Sequence, residues 1–292
     1  MPYNVIGIAI VLGGLMAHQF EAMIVKKYGA KHGKGGMFFN AILCLAATVY
    51  FFATDKGGFN LPMGVFLYGL VNSTMYAVGF YTGYLAYKLG SFGLTRLFTS
   101  FGGIITISYG ILVLREPFSP LMLVAVALVF LSVFLMKYQK DPTEKKQPLT
   151  AKWVISVVLV VVSNALISII GKMQYNAYTN AYKNEFLIVS FLGSAFWLIV
   201  MGLIFERDSL KTTLRHGMLY GVAAGLFNGV NNVCILLSYN YFTLSFLSPF
   251  KTGVGMVITF LLATLLYKEK YTNRQKIAVL IGILSVVLMS VK

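Results

Sequence analysis

Four ionisable side chains stand inside otherwise apolar runs: Glu21, Arg96, Lys172 and Lys251. Charge is costly in hydrocarbon, so such groups face an interior, pair with one another or meet a ligand. Three cations against one carboxylate favour an anionic or zwitterionic ligand. Lys251 shares a helical face with Gly255 and Thr259, and Arg96 shares one with Ser100 and Gly103; the alternative for both is a long stem snorkelling from a helix end to the headgroups. Asn164, Ser168 and Lys172 recur every four residues along one face. Glu21 can take up a proton in a coupling step, hold a cationic group, or pair locally with Lys26 or Lys27. His18 lies one turn before it and is either a coupling partner or a structural, hydrogen-bonded histidine.

A second set offers hydrogen bonds instead of charge. Asn228, Asn231 and Asn232 fall within five residues, and Asn72 and Tyr76 lie one turn apart. Amides at membrane depth need partners. They either line the wall of a ligand cavity or tie helices together. Gly217, Gly221, Gly225 and Gly229 precede and enter the first amide group at intervals of four, which puts them on one helix face. Such a strip lets backbones approach closely, as static packing or as a sliding seam. Tyr76, Tyr81, Tyr84 and Tyr87 can line a cavity, although packing or an interfacial belt accounts for any one of them.

The elements that carry these residues follow from composition. The chain is 58% hydrophobic and 11% charged, with a mean hydropathy of +0.78, whereas soluble domains carry roughly a quarter charged residues. A bilayer core about 30 Å thick takes roughly 20 apolar residues per helix. That criterion gives ten transmembrane segments, at about 3–25, 37–54, 62–88, 92–114, 119–137, 153–174, 185–205, 216–241, 244–267 and 273–291. The expected fold is an all-α polytopic membrane protein. No A-x-A-like cleavage site follows the first apolar run, so it is expected to be a retained helix. The net charge of +15 does not imply nucleic acid, because the basic residues occupy short loops and not one face of a polar domain. Cys44 and Cys234 lie in apolar runs without partner spacing. No metal-ligand pattern, phosphate loop or catalytic constellation is present, so neither cofactor nor enzymatic chemistry is expected.

The segments repeat. Arg115-Glu116-Pro117-Phe118-Ser119 and Lys268-Glu269-Lys270-Tyr271-Thr272 each join two apolar runs, about 153 positions apart. Tyr68-Gly69-Leu70 parallels Tyr220-Gly221-Val222, and Ser91-Phe92 parallels Ser245-Phe246. The polar stretch 138–151 divides the chain into a first five-helix repeat (1–137) and a second (152–292). Five helices is an odd number, so the second repeat enters the membrane with inverted topology, an arrangement that exchanges outward- and inward-open forms. Of the 24 Lys and Arg, 17 fall in loops on one side and four on the other. The positive-inside rule then puts the 138–151 linker in the cytoplasm and both termini outside.

These residues resemble the drug/metabolite transporter (DMT) superfamily in its EamA-like branch, whose halves each end in a helix, a Gly-Glu-x-x-Ser/Thr-like turn and a closing helix. The matches are Glu116-Pro117-Phe118-Ser119 and Glu269-Lys270-Tyr271-Thr272; the usual preceding glycine is Arg115 or Lys268 here. Ser248-Pro249-Phe250 looks like the family's Pro-Val helix entry, which the first half lacks, with Arg96 in roughly its place. The resemblance implies an integral membrane transporter and draws both termini in the cytoplasm, against the charge count. Together with the residues above, it leads to a secondary transporter of a small polar metabolite, an amino acid or organic anion favoured, in a bacterial plasma membrane, as monomer or homodimer. The expected substrate-binding residues are Lys251, Arg96, Lys172, Asn228, Asn231, Asn232, Asn72 and Tyr76, and the expected coupling residues Glu21 and His18. A multidrug or cationic-compound exporter of the same fold is the alternative, followed by a non-transporting membrane enzyme or receptor. The two turns are expected to fasten helix pairs and not to touch substrate.

Overall fold

The computed structural model describes residues 5–32, 35–55, 57–89, 98, 101–117, 119–137, 150–267 and 272–290. Among them the chain is all helical, with no strand. The helices are α1 (Val5–His32), α2 (Gly36–Thr54), α3 (Met63–Leu89), α4 (Gly102–Leu112), α5 (Pro120–Lys137), α6 (Ala151–Tyr178), α7 (Lys183–Phe205), α8 (Leu210–Ser238), α9 (Leu244–Tyr267) and α10 (Asn273–Ser290), with a 3-10 turn at Arg207–Ser209. Without water to satisfy peptide groups, a helix is the local solution for an apolar run. Six of the helices are long and apolar enough to cross a bilayer; α4 and most of α5 are apolar but shorter. Hydroxyls inside the helices are satisfied one turn back, as Thr48 donates to the Cys44 carbonyl (2.9 Å) and Ser190 to that of Phe186 (2.7 Å).

Several helices outrun their apolar segments. α1 continues past residue 25 to His32, and α8 begins at Leu210, six residues before the expected start. Hydropathy marks the immersed stretch, while the backbone ladder continues into the polar flank. The expected segment 92–114 gives helix over Gly102–Leu112; residues 90–97, 99 and 100, with Arg96 and the Ser91-Phe92 pair, lie outside the described residues. The Glu269 turn at 268–271 and linker residues 138–149 lie outside them too.

Packing divides the chain into two compact units, and each interleaves the two sequence halves. The larger comprises Val5–Tyr84 and Leu166–Tyr241, hence α1, α2 and most of α3 with the end of α6, α7 and α8. In it α2 packs on α7 and α8, and α8 on α1. Phe51, Phe186, Phe191, Leu187 and Leu198 form its fully buried centre. Phe51 and Phe191 meet edge to face at 5.3 Å, and Tyr28 stacks on Phe39 at 4.4 Å.

The smaller unit comprises Met1–Asn4, Leu85–Ala165 and Phe242–Lys292. Here α10 packs on α5 and α9, and α9 on α4 and α5. Ser132 donates to the Ala278 carbonyl across α5 and α10. The turn after α4 is a fastener. Glu116 accepts the backbone N–H groups of Leu244 (2.9 Å) and Ser245 (2.8 Å), so its carboxylate caps α9, where free amides and the helix dipole favour negative charge. A Cβ on Gly110 would lie 2.5 Å from the capping oxygen. Arg115, just before, holds φ 52°, in the left-handed region that favours glycine. This is the position at which the resemblance expects glycine, and backbone geometry supplies the reason.

Candidate functional site

The larger unit gathers most of the intramembrane polar residues into one chain of hydrogen bonds. Its starting point is a turn of α8. Asn232 Nδ2 lies 2.9 Å from the backbone carbonyl oxygen of Asn228 and 2.8 Å from Asn228 Oδ1. A carbonyl only accepts, so this end of Asn232 is its nitrogen. Asn232 Oδ1 then faces α3, where the Tyr76 hydroxyl donates to it at 2.6 Å. Asn228 turns its oxygen to Asn232, so its nitrogen faces α1 and donates to Glu21 Oε1 at 2.8 Å. A single backbone carbonyl thus fixes the polarity of the whole chain, and every amide nitrogen in it points toward the carboxylate.

The other carboxylate oxygen, Glu21 Oε2, meets His18 Nδ1 at 3.1 Å. The two ends differ in access. Glu21, Asn228 and Asn232 are 7%, 7% and 8% exposed, whereas the His18 side chain is 44% exposed. A buried carboxylate needs compensation by hydrogen bonds or countercharge. Here Oε1 has a fixed amide donor from another helix, and Oε2 has an imidazole on its own helix. The expected pairing with Lys27 is not seen, Lys27 being exposed; the Lys26 side chain lies outside the described residues.

Lys172 takes a different form. Its ammonium sits 4.7 Å from the ring centroid of Tyr175 and 5.0 Å from that of Tyr239, with the lysine 7% exposed. Two aromatic faces stabilise a desolvated cation. The rings are held from behind: Tyr239 donates to the Ser168 carbonyl (3.2 Å), and Tyr175 to Asn240 Oδ1 (3.0 Å). The carboxylate and the ring-covered ammonium belong to the same compact unit.

Other candidates go elsewhere. Asn72 does not join Tyr76. It is 1% exposed, donates to Ser190 Oγ of α7 at 3.1 Å, and leaves its Oδ1 without a partner. Asn231 faces α1, with its Oδ1 3.5 Å from where a Cβ on Gly14 would stand. Lys251 is in α9 of the smaller unit, half-buried, one turn beyond Ser248, whose hydroxyl accepts from Thr106 at 2.8 Å. Among the described residues no group of three or more His, Cys, Asp or Glu could hold a metal. Residue types and spacing do not reveal Tyr175 and Tyr239 over Lys172, or Ser190 and Ser194 facing α3. Their spacing within α6, α7 and α8 marks them as helix residues, and only the tertiary pairing shows their partners.

No curated protein matches the sequence. Solved structures share the fold; one crystal structure does so with a TM-score of 0.77 at 13% identity over 97% of this chain and 98% of the other. Residues 151–291 match the model of the EamA-like transporter family, a branch of the drug/metabolite transporters. Several apolar helices of membrane-spanning length agree with that assignment. Over residues 151–291 the chain is similar to the EamA-like transporter family, and its long apolar helices are those of an integral membrane protein.

Proposed function

We propose that this protein is a secondary transporter of a small polar metabolite, an amino acid or organic anion in the first instance. It works by alternating access between two inverted five-helix halves. The observation that carries the reading is the Tyr76–Asn232–Asn228–Glu21 chain, which ties α3 and α1 of one half to α8 of the other. Polar groups so placed in a membrane span are expensive and serve a ligand pathway by default. Glu21 and Lys172 offer the two charges of a zwitterion, and Lys251 a further cation for an anionic group. Glu21 and His18 supply the coupling step.

The repeat is supported by packing register. A Cβ on Gly69 of α3 would meet Val189 of α7, and one on Gly193 meets Ser73. A Cβ on Gly221 of α8 would meet Ile42 of α2, and one on Gly225 meets Ala46. Positions 69 and 73 map to 221 and 225 by a shift of 152, and 42 and 46 map to 189 and 193 by a shift of 147. Two helix pairs with the same register are what duplication of a half produces. A bacterial plasma membrane and a monomer or homodimer complete the proposal.

A cationic-compound exporter is the second reading, favoured by the aromatic rings of Tyr76 and Phe191, 4.8 Å apart, beside the carboxylate chain. The test is a thermal-shift screen of the purified protein against metabolites and lipophilic cations, followed by flux in proteoliposomes. Glu21→Gln and Lys251→Ala are expected to lower flux about tenfold or more, as loss of a charged hydrogen-bond partner does, while folded yield is kept. Undiminished flux in both variants would remove these residues from the pathway.

A further inference from the structure

We propose that the His18 imidazole is a built-in placeholder for the protonated amine of the substrate, which binds Glu21 Oε2 by displacing it. The inference rests on Glu21 belonging to the transport site and names the chemical class that site takes.

The two oxygens of Glu21 are not equivalent. Oε1 is held by Asn228, whose orientation is imposed through Asn232 by a backbone carbonyl. Exchange of that partner would reverse the whole chain as far as Tyr76 and break the bond to the carbonyl. Oε2 is held by His18, three residues away on the same helix. Rotation about the His18 side-chain bonds releases it without disturbing α1. The exposures agree, because the imidazole is the open end of an otherwise buried pair. A group that enters here must donate a hydrogen bond, since a carboxylate only accepts. It must also bring positive charge, since an ionised carboxylate left alone in the membrane is costly. Asn228, Asn232 and Tyr76, the groups that the hydrogen-bond chain brings to Glu21 from α8 and α3, carry no positive charge. A primary ammonium meets both requirements. A quaternary ammonium has charge but no N–H, and a carboxylate has neither.

The experiment compares three probes with one ring and different heads: phenethylammonium, its N-trimethyl derivative and 3-phenylpropionate. Each is titrated into the purified full chain, with affinity read from the shift in melting temperature. Phenethylammonium is expected to bind about tenfold more tightly than the trimethyl form, the margin of a charge-assisted hydrogen bond. Glu21→Gln should weaken it about tenfold or more by the same measure. His18→Ala should do the opposite and tighten it severalfold, because a competitor is gone. His18→Asn, whose Nδ2 stands where the imidazole Nδ1 stood and can still donate to Oε2, should stay closer to wild type than His18→Ala does, and Glu21→Asp should retain the preference for N–H. Melting of each variant without probe checks its fold. The proposal is overturned if His18→Ala weakens binding as Glu21→Gln does, if the trimethyl probe binds equally well, or if folded wild-type protein binds no amine. Proteoliposomes separate the two readings. Amine binding as described without amine flux sinks the transport reading alone, and flux without amine preference sinks this one alone.

Discussion

Two seams of the larger unit share a register and differ in chemistry. Between α8 and α2 the contact is made by glycines: a Cβ on Gly225 would run into the backbone carbonyl of Leu43 and lie 2.7 Å from Ala46 Cβ, and one on Gly229 would lie 2.6 Å from the Tyr50 ring. Between α3 and α7 the equivalent turns carry Asn72, Ser73, Ser190 and Ser194. Asn72 donates to Ser190, and Ser194 lies 3.0 Å from the Ser73 carbonyl oxygen and 2.6 Å from that of Ser190. The first seam sets glycine backbone against apolar side chains and, at Gly225, against the backbone itself, with no polar side chain among these contacts to rearrange. The second is side chain against side chain, with hydroxyls that have alternative acceptors and an amide oxygen, Asn72 Oδ1, that has none. The lesson is that one packing register can serve as a fixed joint in one place and an adjustable one in another.

The contrast is broken most severely at the fixed joint. Gly225→Val is expected to cost about 3 kcal/mol or more, the upper range for overpacking, seen as loss of monodisperse protein and a lowered melting temperature. Adding Ala46→Gly should not rescue it, because the Leu43 carbonyl remains. A wild-type melting temperature for Gly225→Val would erase the distinction. At the adjustable joint, Gly193→Ala meets Ser73 Oγ and Cβ at 2.6 and 2.8 Å, a side chain that can be removed. A cost of about 1–2 kcal/mol is expected, and the double variant with Ser73→Gly should be more stable than Gly193→Ala alone, as a double-mutant cycle would record. The smallest effects sharpen the polar side. Ser190→Ala deprives Asn72 of its one partner and should cost about 1 kcal/mol, whereas Asn72→Leu removes both the bond and the orphaned oxygen and should fall within about 0.5 kcal/mol of wild type. The reverse ranking would mean that the Asn72 oxygen has a partner after all.

Much of the fold was legible because membrane immersion makes the signal long. Nine of the ten expected segments coincide with helices to within a few residues at most ends, and α8 and α1 exceed theirs only in the polar flanks. The fourth is observed over its second part. The site was legible as a set of residue types and not as a connected object. Glu21, His18, Asn228, Asn232 and Tyr76 stand out one by one, since charge and amides are conspicuous among apolar neighbours. That Asn228 meets Glu21 207 positions away depends on how α1 crosses α8, which helical periodicity does not encode. Asn72 shows the limit: one turn from Tyr76 on the same helix, it donates to Ser190 of α7 while Tyr76 reaches Asn232 of α8, a choice that only the tertiary packing makes. The aromatic cover of Lys172 was hidden for a similar reason, as Tyr239 comes from the far end of α8.

The cap on α9 has a consequence for how the chain is made. Glu116 leaves the ribosome 128 residues before Leu244, the first of the two amides it holds. At roughly 5–20 residues per second, its carboxylate spends on the order of ten seconds at the end of a finished helix with its final partner not yet synthesised. The same is true of Ser132, whose acceptor is the carbonyl of Ala278. The smaller unit is therefore sealed only as translation ends, and a nascent chain stalled before α9 holds α4 and α5 without the helices they close upon.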